Sequence, residues 1–290
     1  MFIILMSIKT ERLEKKRRPL LNDVDTVKIS CENKKITGKN TIKSSRETGM
    51  GVNDFVHVIK SVMTEYNKPV VVKIHDASSS SIQKELFALY KLENFQNSVK
   101  IICDFSCMDD KERWKNPVPK PVKFCNNKKD SLHFIVLEYI EDGGIEQFFN
   151  RNPSKEEVCS IMIQLELSVI TLALDYNISH GDLNSGNILF SKTDEEMVMY
   201  NVLGEEYSIK SFGIIPKFID YGRLTEYEGK KQEKKYIIDD IHFILTTMNV
   251  FIYDTSLKIK FREWIHKEFN KRSLDFHKII DDTEKFFKKL

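Results

Sequence analysis

Five stretches of the chain carry residue types that could do chemistry. The first is His180-Gly181-Asp182-Leu183-Asn184-Ser185-Gly186-Asn187-Ile188-Leu189, a turn-forming run before a short apolar strand. An aspartate there can accept a hydrogen bond from an attacking hydroxyl, and an asparagine five residues on can offer an oxygen to a hard cation. A turn rich in helix-capping residues would hold the same types. The second is Phe218-Ile219-Asp220-Tyr221-Gly222, an apolar strand ending on a carboxylate, as many strands do. The third, Val70-Val71-Val72-Lys73-Ile74, sets a lysine in a β-branched run, where an edge-strand lysine is the plain alternative. The fourth, Gly49-Met50-Gly51-Val52-Asn53-Asp54-Phe55-Val56, is a glycine turn that could free backbone amides for an anion or be a turn and nothing more. The fifth, Phe134-Ile135-Val136-Leu137-Glu138-Tyr139-Ile140, reads as a buried strand.

These stretches need elements to hold them. Strand patterns cover Phe55–Ile59, Pro69–Ile74, Val99–Phe105 and Leu132–Ile140. Ile82, Leu86, Leu89 and Leu92 recur at helical spacing, so Ser80–Leu92 is predicted as a helix. Ser154 with Glu157 three residues later is a capping box. The stripe Val158, Ile161, Met162, Leu165, Val169 and Leu172 then demands a long buried helix. Short strands are expected at Asn187–Phe190 and Lys217–Asp220, and helices over the last 50 residues, with Asp240 opening the next large helix. Strands with one helix, followed mostly by helices, give an α+β chain in two lobes. Glu141-Asp142-Gly143-Gly144 is the natural hinge.

Taken in order, the motifs resemble the protein-kinase superfamily. The His180–Asn187 run is similar to the catalytic loop H-R-D-L-x-x-x-N, and Asp-Tyr-Gly to the metal-binding D-F-G that follows it. By that resemblance Asp182 is the catalytic base, and Asn187 and Asp220 hold Mg²⁺ or Mn²⁺. Lys73, on a strand like V-A-I-K, reaches the α- and β-phosphates of ATP. Glu85 partners it, with Glu93 as competitor. Gly49, Gly51 and Val56 cover the phosphates, although Asp54 replaces the loop's third glycine. Backbone groups of Glu138 and Ile140 pair with adenine, with Leu137 as gatekeeper. The implied fold is a bilobal kinase: a basic extension over residues 1–41, an N-lobe over 42–140 and a C-lobe over 141–290.

Departures from the common pattern narrow the group. Asp182 and Asp220 lie 38 residues apart (220 − 182), longer than a compact kinase core requires, so 191–214 is expected as an inserted surface hairpin outside the ATP site. No Ala-Pro-Glu follows Asp220. Both features resemble haspin-like kinases and the protein kinases of large DNA viruses. Gly181 stands where regulated kinases carry the arginine that pairs with a phosphorylated activation segment, so activity is expected without such phosphorylation. Asn184 stands where common Ser/Thr kinases carry lysine, which leaves Ser/Thr against Tyr undecided, with Ser/Thr favoured. Small-molecule kinases of the aminoglycoside- and choline-phosphotransferase type also carry His-Gly-Asp-x-x-x-x-Asn. A catalytically inactive scaffold is the third reading.

Composition agrees with a globular enzyme and excludes other classes. The chain has 290 residues, 41% hydrophobic and 30% charged, with net charge +2. Residues 1–46 hold 12 Lys and Arg against 5 Asp and Glu, a basic arm of +7 that leaves −5 on the remainder. Nucleic-acid binding is therefore not expected beyond that arm, and the resemblance to protein kinases implies a protein substrate. The apolar Met1–Met6 is far short of the about 20 residues that span a bilayer. Five scattered cysteines, an odd number, suit a reducing compartment as structural thiols, and Cys103 with Cys107 lacks a second pair for zinc. The expected location is the cytoplasm, of a host cell or in a virion if the protein is viral, or the nucleus, for which Lys15-Lys16-Arg17-Arg18 would serve as a signal.

Overall fold

A computed structural model describes residues 27–30, 35–37, 57–63, 68–76, 80–107, 132–202, 204–227, 230–269 and 276–289. The described residues form a mixed α+β structure with one six-stranded sheet, three two-stranded sheets and six α-helices. Two compact units divide the chain: the described residues of Met1–Ser79 with Ile102–Tyr139, and Ser80–Ile101 with Ile140–Leu290.

The first unit is built on the sheet β1 (Val27–Ser30), β2 (Lys35–Thr37), β3 (His57–Met63), β4 (Lys68–Asp76), β5 (Ile101–Cys107) and β6 (Leu132–Glu138), in the order β2-β1-β3-β4-β6-β5. The first two strands fall within the segment expected as a basic extension. Strand β4 lies between β3 and β6, pairing Lys73 with Val58 on one side and Ile135 on the other. Val70, Val72 and Ile74 are buried on one face, and Lys73 and His75 are buried on the opposite one. Burial on both faces explains why Val70–Val72 and Phe134–Leu137 are unbroken apolar runs rather than alternating ones. Phe105 stacks on Phe134 at 5.1 Å. On β5 and β6 the His133 ring is held from both nitrogens, by Ser106 Oγ at 2.7 Å and Asp104 Oδ2 at 2.8 Å. Cys103 is disulfide-bonded, against the expectation of free thiols throughout.

The second unit is mostly helical. Its helices are α1 (Ser80–Lys91), α2 (Ile145–Asn150), α3 (Lys155–Tyr176), α4 (Lys230–Phe251), α5 (Thr255–Phe269) and α6 (Phe276–Lys288). The capping box forms as read: Glu157 N donates to Ser154 Oγ, and Ser154 N donates to Glu157 Oε2 at 2.7 Å. Asn177, in the left-handed region at φ 54°, ends the helix. Helix α3 packs against α4 and α6, and its residues Val158 to Ala173 are buried except Cys159 and Thr171. Among the described residues it is the one helix long and apolar enough to cross a bilayer, and 78% of its apolar window is buried inside the unit. Burying each Leu or Ile contributes about 1.5–3 kcal/mol, so this helix organises the core.

The small strands of this unit are β7 (Ile178–Ser179), β8 (Ile188–Lys192), β9 (Met197–Val202), β10 (Glu205–Lys210), β11 (Ile214–Phe218) and β12 (Thr225–Glu226). β8 pairs with β11, and the inserted segment between them is an antiparallel hairpin of β9 and β10. The hairpin turns at Gly204, φ +84°. Its β9 strand alternates strictly, with Val198, Tyr200 and Val202 buried and Met197 and Met199 exposed. The hairpin is thus half core. Ser160 Oγ on α3 donates to the Lys210 carbonyl, and Gln96 Nε2 donates to the Met199 carbonyl at 3.0 Å.

Candidate functional site

The end of the β8–β11 pair brings two of the sequence motifs together. Ile188 pairs with Phe218, and one step beyond, Ile219 N donates to the Asn187 carbonyl at 3.0 Å. The next residue is Asp220, at φ 66° and ψ 73°. That left-handed conformation is uncommon for a residue with a side chain, though Asp adopts it more readily than most. It lies two residues past the strand, which ends at Phe218, and caps the 3-10 turn Tyr221–Arg223.

Asp182 is partly buried and held on both carboxylate oxygens. Asn184 Nδ2 donates to Oδ1 at 3.1 Å, and Asn187 Nδ2 approaches Oδ2 at 3.3 Å. Asn187 Nδ2 also donates to the Asp182 backbone carbonyl at 2.8 Å. The loop therefore closes on itself across the five-residue spacing. With its Nδ2 used in this way, the Asn187 amide keeps Oδ1 as its second polar atom, and its backbone carbonyl accepts from Ile219 N, one residue before Asp220. An amide oxygen and a carboxylate are the hard oxygen donors that Mg²⁺ and Mn²⁺ prefer. Among the described residues no group of three or more His, Cys, Asp and Glu forms a metal cluster. A cation here would rest on few protein ligands, as Mg²⁺ does when phosphates and water complete its shell.

A buried carboxylate on α4 anchors the loop from behind. Asp240 accepts from Ser179 Oγ at 2.8 Å, His180 N at 2.9 Å and Gly181 N at 3.1 Å. It lies in the middle of α4 rather than opening the helix, which begins at Lys230. Burial raises its pKa, opposed by His180 and these three donors. Burial lowers the pKa of His180, against the pull of Asp240. His180 Nε2–H donates to the Ile219 carbonyl at 3.1 Å, which sets the tautomer. Its ring lies 4.9 Å from that of Tyr221. Tyr221 is fully buried, and its hydroxyl donates to Ser98 Oγ at 2.9 Å. Burial raises the Tyr221 pKa, and the charge of Glu85 adds to the effect.

Glu85 is buried on α1, which packs against the 3-10 turn. Its competitor Glu93 is exposed and lies beyond the end of that helix, so the geometry favours Glu85 as the helical acid. Lys73 is buried within the first unit, on an inner strand rather than an edge. Leu137 is buried on β6, Glu138 ends that strand opposite Val70, and Ile140 is buried in the second unit. Gly49, Gly51 and Val56 lie outside the described residues.

Gly181 has a local reason to be glycine. Its φ is +74°, and a Cβ there would stand 2.8 Å from the Arg223 carbonyl oxygen. Sequence reasoning did not find the anchoring role of Asp240, nor Arg223, whose Nη1 lies 3.8 Å from Asp182 Oδ1. It also missed Asn97, whose Nδ2 donates to the Pro216 carbonyl at 2.9 Å and to Tyr200 Oη at 3.2 Å. A polar residue inside an apolar helical stripe, as Asp240 is, was the available signal for the first. The other two depend on contacts between distant segments.

No protein-family model matches the chain. An uncharacterized protein of Caenorhabditis elegans, ZK177.2, is 25% identical over 207 residues, which is 69% of this chain and 66% of that protein. The serine/threonine-protein kinase haspin of Bos taurus is 35% identical over 96 residues, and that of Mus musculus 31% over 96. Each haspin match covers 32% of this chain, and the chain spans only 12% of either kinase. About a third of the chain is therefore similar to part of a serine/threonine-protein kinase, a kinase-like relationship.

Proposed function

We propose that this chain is a protein kinase of bilobal kinase fold that transfers the γ-phosphate of ATP to protein hydroxyls, serine or threonine before tyrosine. The observation that carries the reading is the joining of the two loop motifs: Asn187 bonds Asp182 through its side chain and Ile219 through its backbone, one residue before Asp220. Mg²⁺-ATP would supply the phosphoryl group and its charge neutralisation. Asp182, oriented by two carboxamides, accepts the hydrogen bond of the acceptor hydroxyl and takes its proton as the new phosphorus–oxygen bond forms and the bond from the γ-phosphorus to the bridging oxygen of the departing ADP breaks. Asn187 Oδ1 and the Asp220 carboxylate are the groups that would hold the cation. Lys73 pairs with the phosphates, and Glu85 is its proposed partner. The glycines of 49–51 and the backbone of Glu138 and Ile140 are proposed to hold the nucleotide.

The test is labelled-phosphate transfer from ATP to a panel of generic proteins and to small alcohols. Transfer to protein supports the proposal. Transfer confined to small alcohols would replace it with the aminoglycoside- or choline-phosphotransferase type. Nucleotide binding without any transfer would make the chain a scaffold. Asp182→Ala should lose transfer by a factor of about 10³ or more while retaining nucleotide binding, since positioning supplies several kcal/mol of such a barrier. Turnover near that of the unaltered protein would overturn the assignment of the base.

A further inference from the structure

Arg223 has a place by the catalytic loop that orientation of Asp182 does not require. The carboxylate is already held by Asn184 on Oδ1 and by Asn187 on Oδ2. Arg223 Nη1 comes only to 3.8 Å of Oδ1, too far for a hydrogen bond, and two-thirds of its side chain is in solvent. Its backbone, by contrast, is set tightly. The Arg223 carbonyl presses on the Gly181 position, and the turn Tyr221–Arg223 closes with Leu224 N donating to the Tyr221 carbonyl at 3.0 Å. A fixed backbone with a loosely engaged cation beside a reacting carboxylate describes a side chain kept for something else. Exposed pairs of this kind contribute little to stability, so the ion pair does not explain the residue.

The charge around the loop supplies the reason. Asp182 and Asp220 repel an approaching anion, and triphosphate would add to that. An acceptor hydroxyl next to a carboxylate or phosphate would therefore be rejected unless a cation met it. The guanidinium fork matches such groups with two parallel bonds, stronger than its single long contact to Asp182. Resting on the kinase reading, we infer that Arg223 selects acceptors, binding an anionic side chain beside the hydroxyl to be phosphorylated and moving off Asp182 Oδ1 as it does so. The preferred substrate is then a Ser or Thr segment with an acidic neighbour.

The experiment compares matched peptides that carry Asp, phosphoserine or Asn next to the acceptor, with the unaltered protein, Arg223→Ala and Arg223→Glu. The unaltered protein should prefer the Asp peptide over the Asn peptide about tenfold in kcat/KM, chiefly through KM, and the preference should shrink as salt rises. A greater gain with phosphoserine than with Asp would identify phosphate as the group read. Arg223→Ala should bring the acidic-to-neutral ratio near one, and Arg223→Glu should reverse it. Transfer with equal kcat/KM on all peptides, or a preference that survives Arg223→Ala, overturns this inference and leaves the kinase reading standing. No transfer to any peptide or protein by the unaltered chain overturns both.

Discussion

Two of the carboxyl groups buried in the helical unit, Asp240 and Glu166, have different surroundings. Asp240 on α4 receives three hydrogen bonds, two from backbone amides of the loop that carries Asp182. Glu166 on α3 receives one, from Thr283 of α6 at 2.7 Å, and its Oε2 has no hydrogen-bond partner among the described residues. Burial raises the pKa of both. At Asp240 a histidine and three donors oppose that rise, whereas at Glu166 only one hydroxyl does, and its pKa is pushed up to about 8. A buried acid can thus serve as a many-handed anchor for a loop or as a packing group held by a single donor. The number of donors aimed at it decides which.

The largest expected effect separates the two directly. Asp240→Ala strands two backbone amides and the Ser179 hydroxyl in a dry site, at about 1–3 kcal/mol each. We expect a loss of roughly 3–6 kcal/mol in denaturant unfolding together with loss of phosphoryl transfer. A variant that folds and turns over normally would show that Asp240 does not anchor the loop.

At Glu166 the expected signature is pH dependence. Its folded pKa, about 8, lies above the ordinary 4.5, so the folded state binds more protons between those values. Stability is then highest below about pH 4.5 for this group and falls as pH rises toward 8, by at most roughly 5 kcal/mol. Glu166→Gln should flatten that slope in urea titrations run from pH 5 to 9. An unchanged slope would place the proton elsewhere.

Smaller effects test how the anchored loop is shaped. Gly181→Ala meets both the positive φ and the Arg223 carbonyl, and should cost about 2 kcal/mol with a drop in transfer. Stability equal to that of the unaltered protein would mean the 221–223 turn can retreat. Smallest of all, Tyr200→Phe removes the hydroxyl that accepts from Asn97 at 3.2 Å and makes a long 3.5 Å contact to Gln164 Oε1, and should cost about 1 kcal/mol in thermal unfolding. A much larger loss would show that the hairpin supports the loop at 95–99 more strongly than one bond allows.

Much of this was legible from residue order, because local rules govern it. The capping box at Ser154 and Glu157 and the stripe of α3 follow from short-range periodicity and capping chemistry, whereas the hairpin of 191–214 was expected from the resemblance and the inner place of the Lys73 strand came with the sheet. What only the tertiary structure decided spans long separations: Asp240 under the 179–181 backbone, Asn97 between Pro216 and Tyr200, and Arg223 beside Asp182. Gly181 shows the boundary most clearly. Its type looked like the loss of a phosphate-reading arginine, whereas the fold needs a residue without a Cβ where a distant carbonyl closes to 2.8 Å. Close approach between segments far apart in the chain has no local signature, so it could be seen only once those segments were packed.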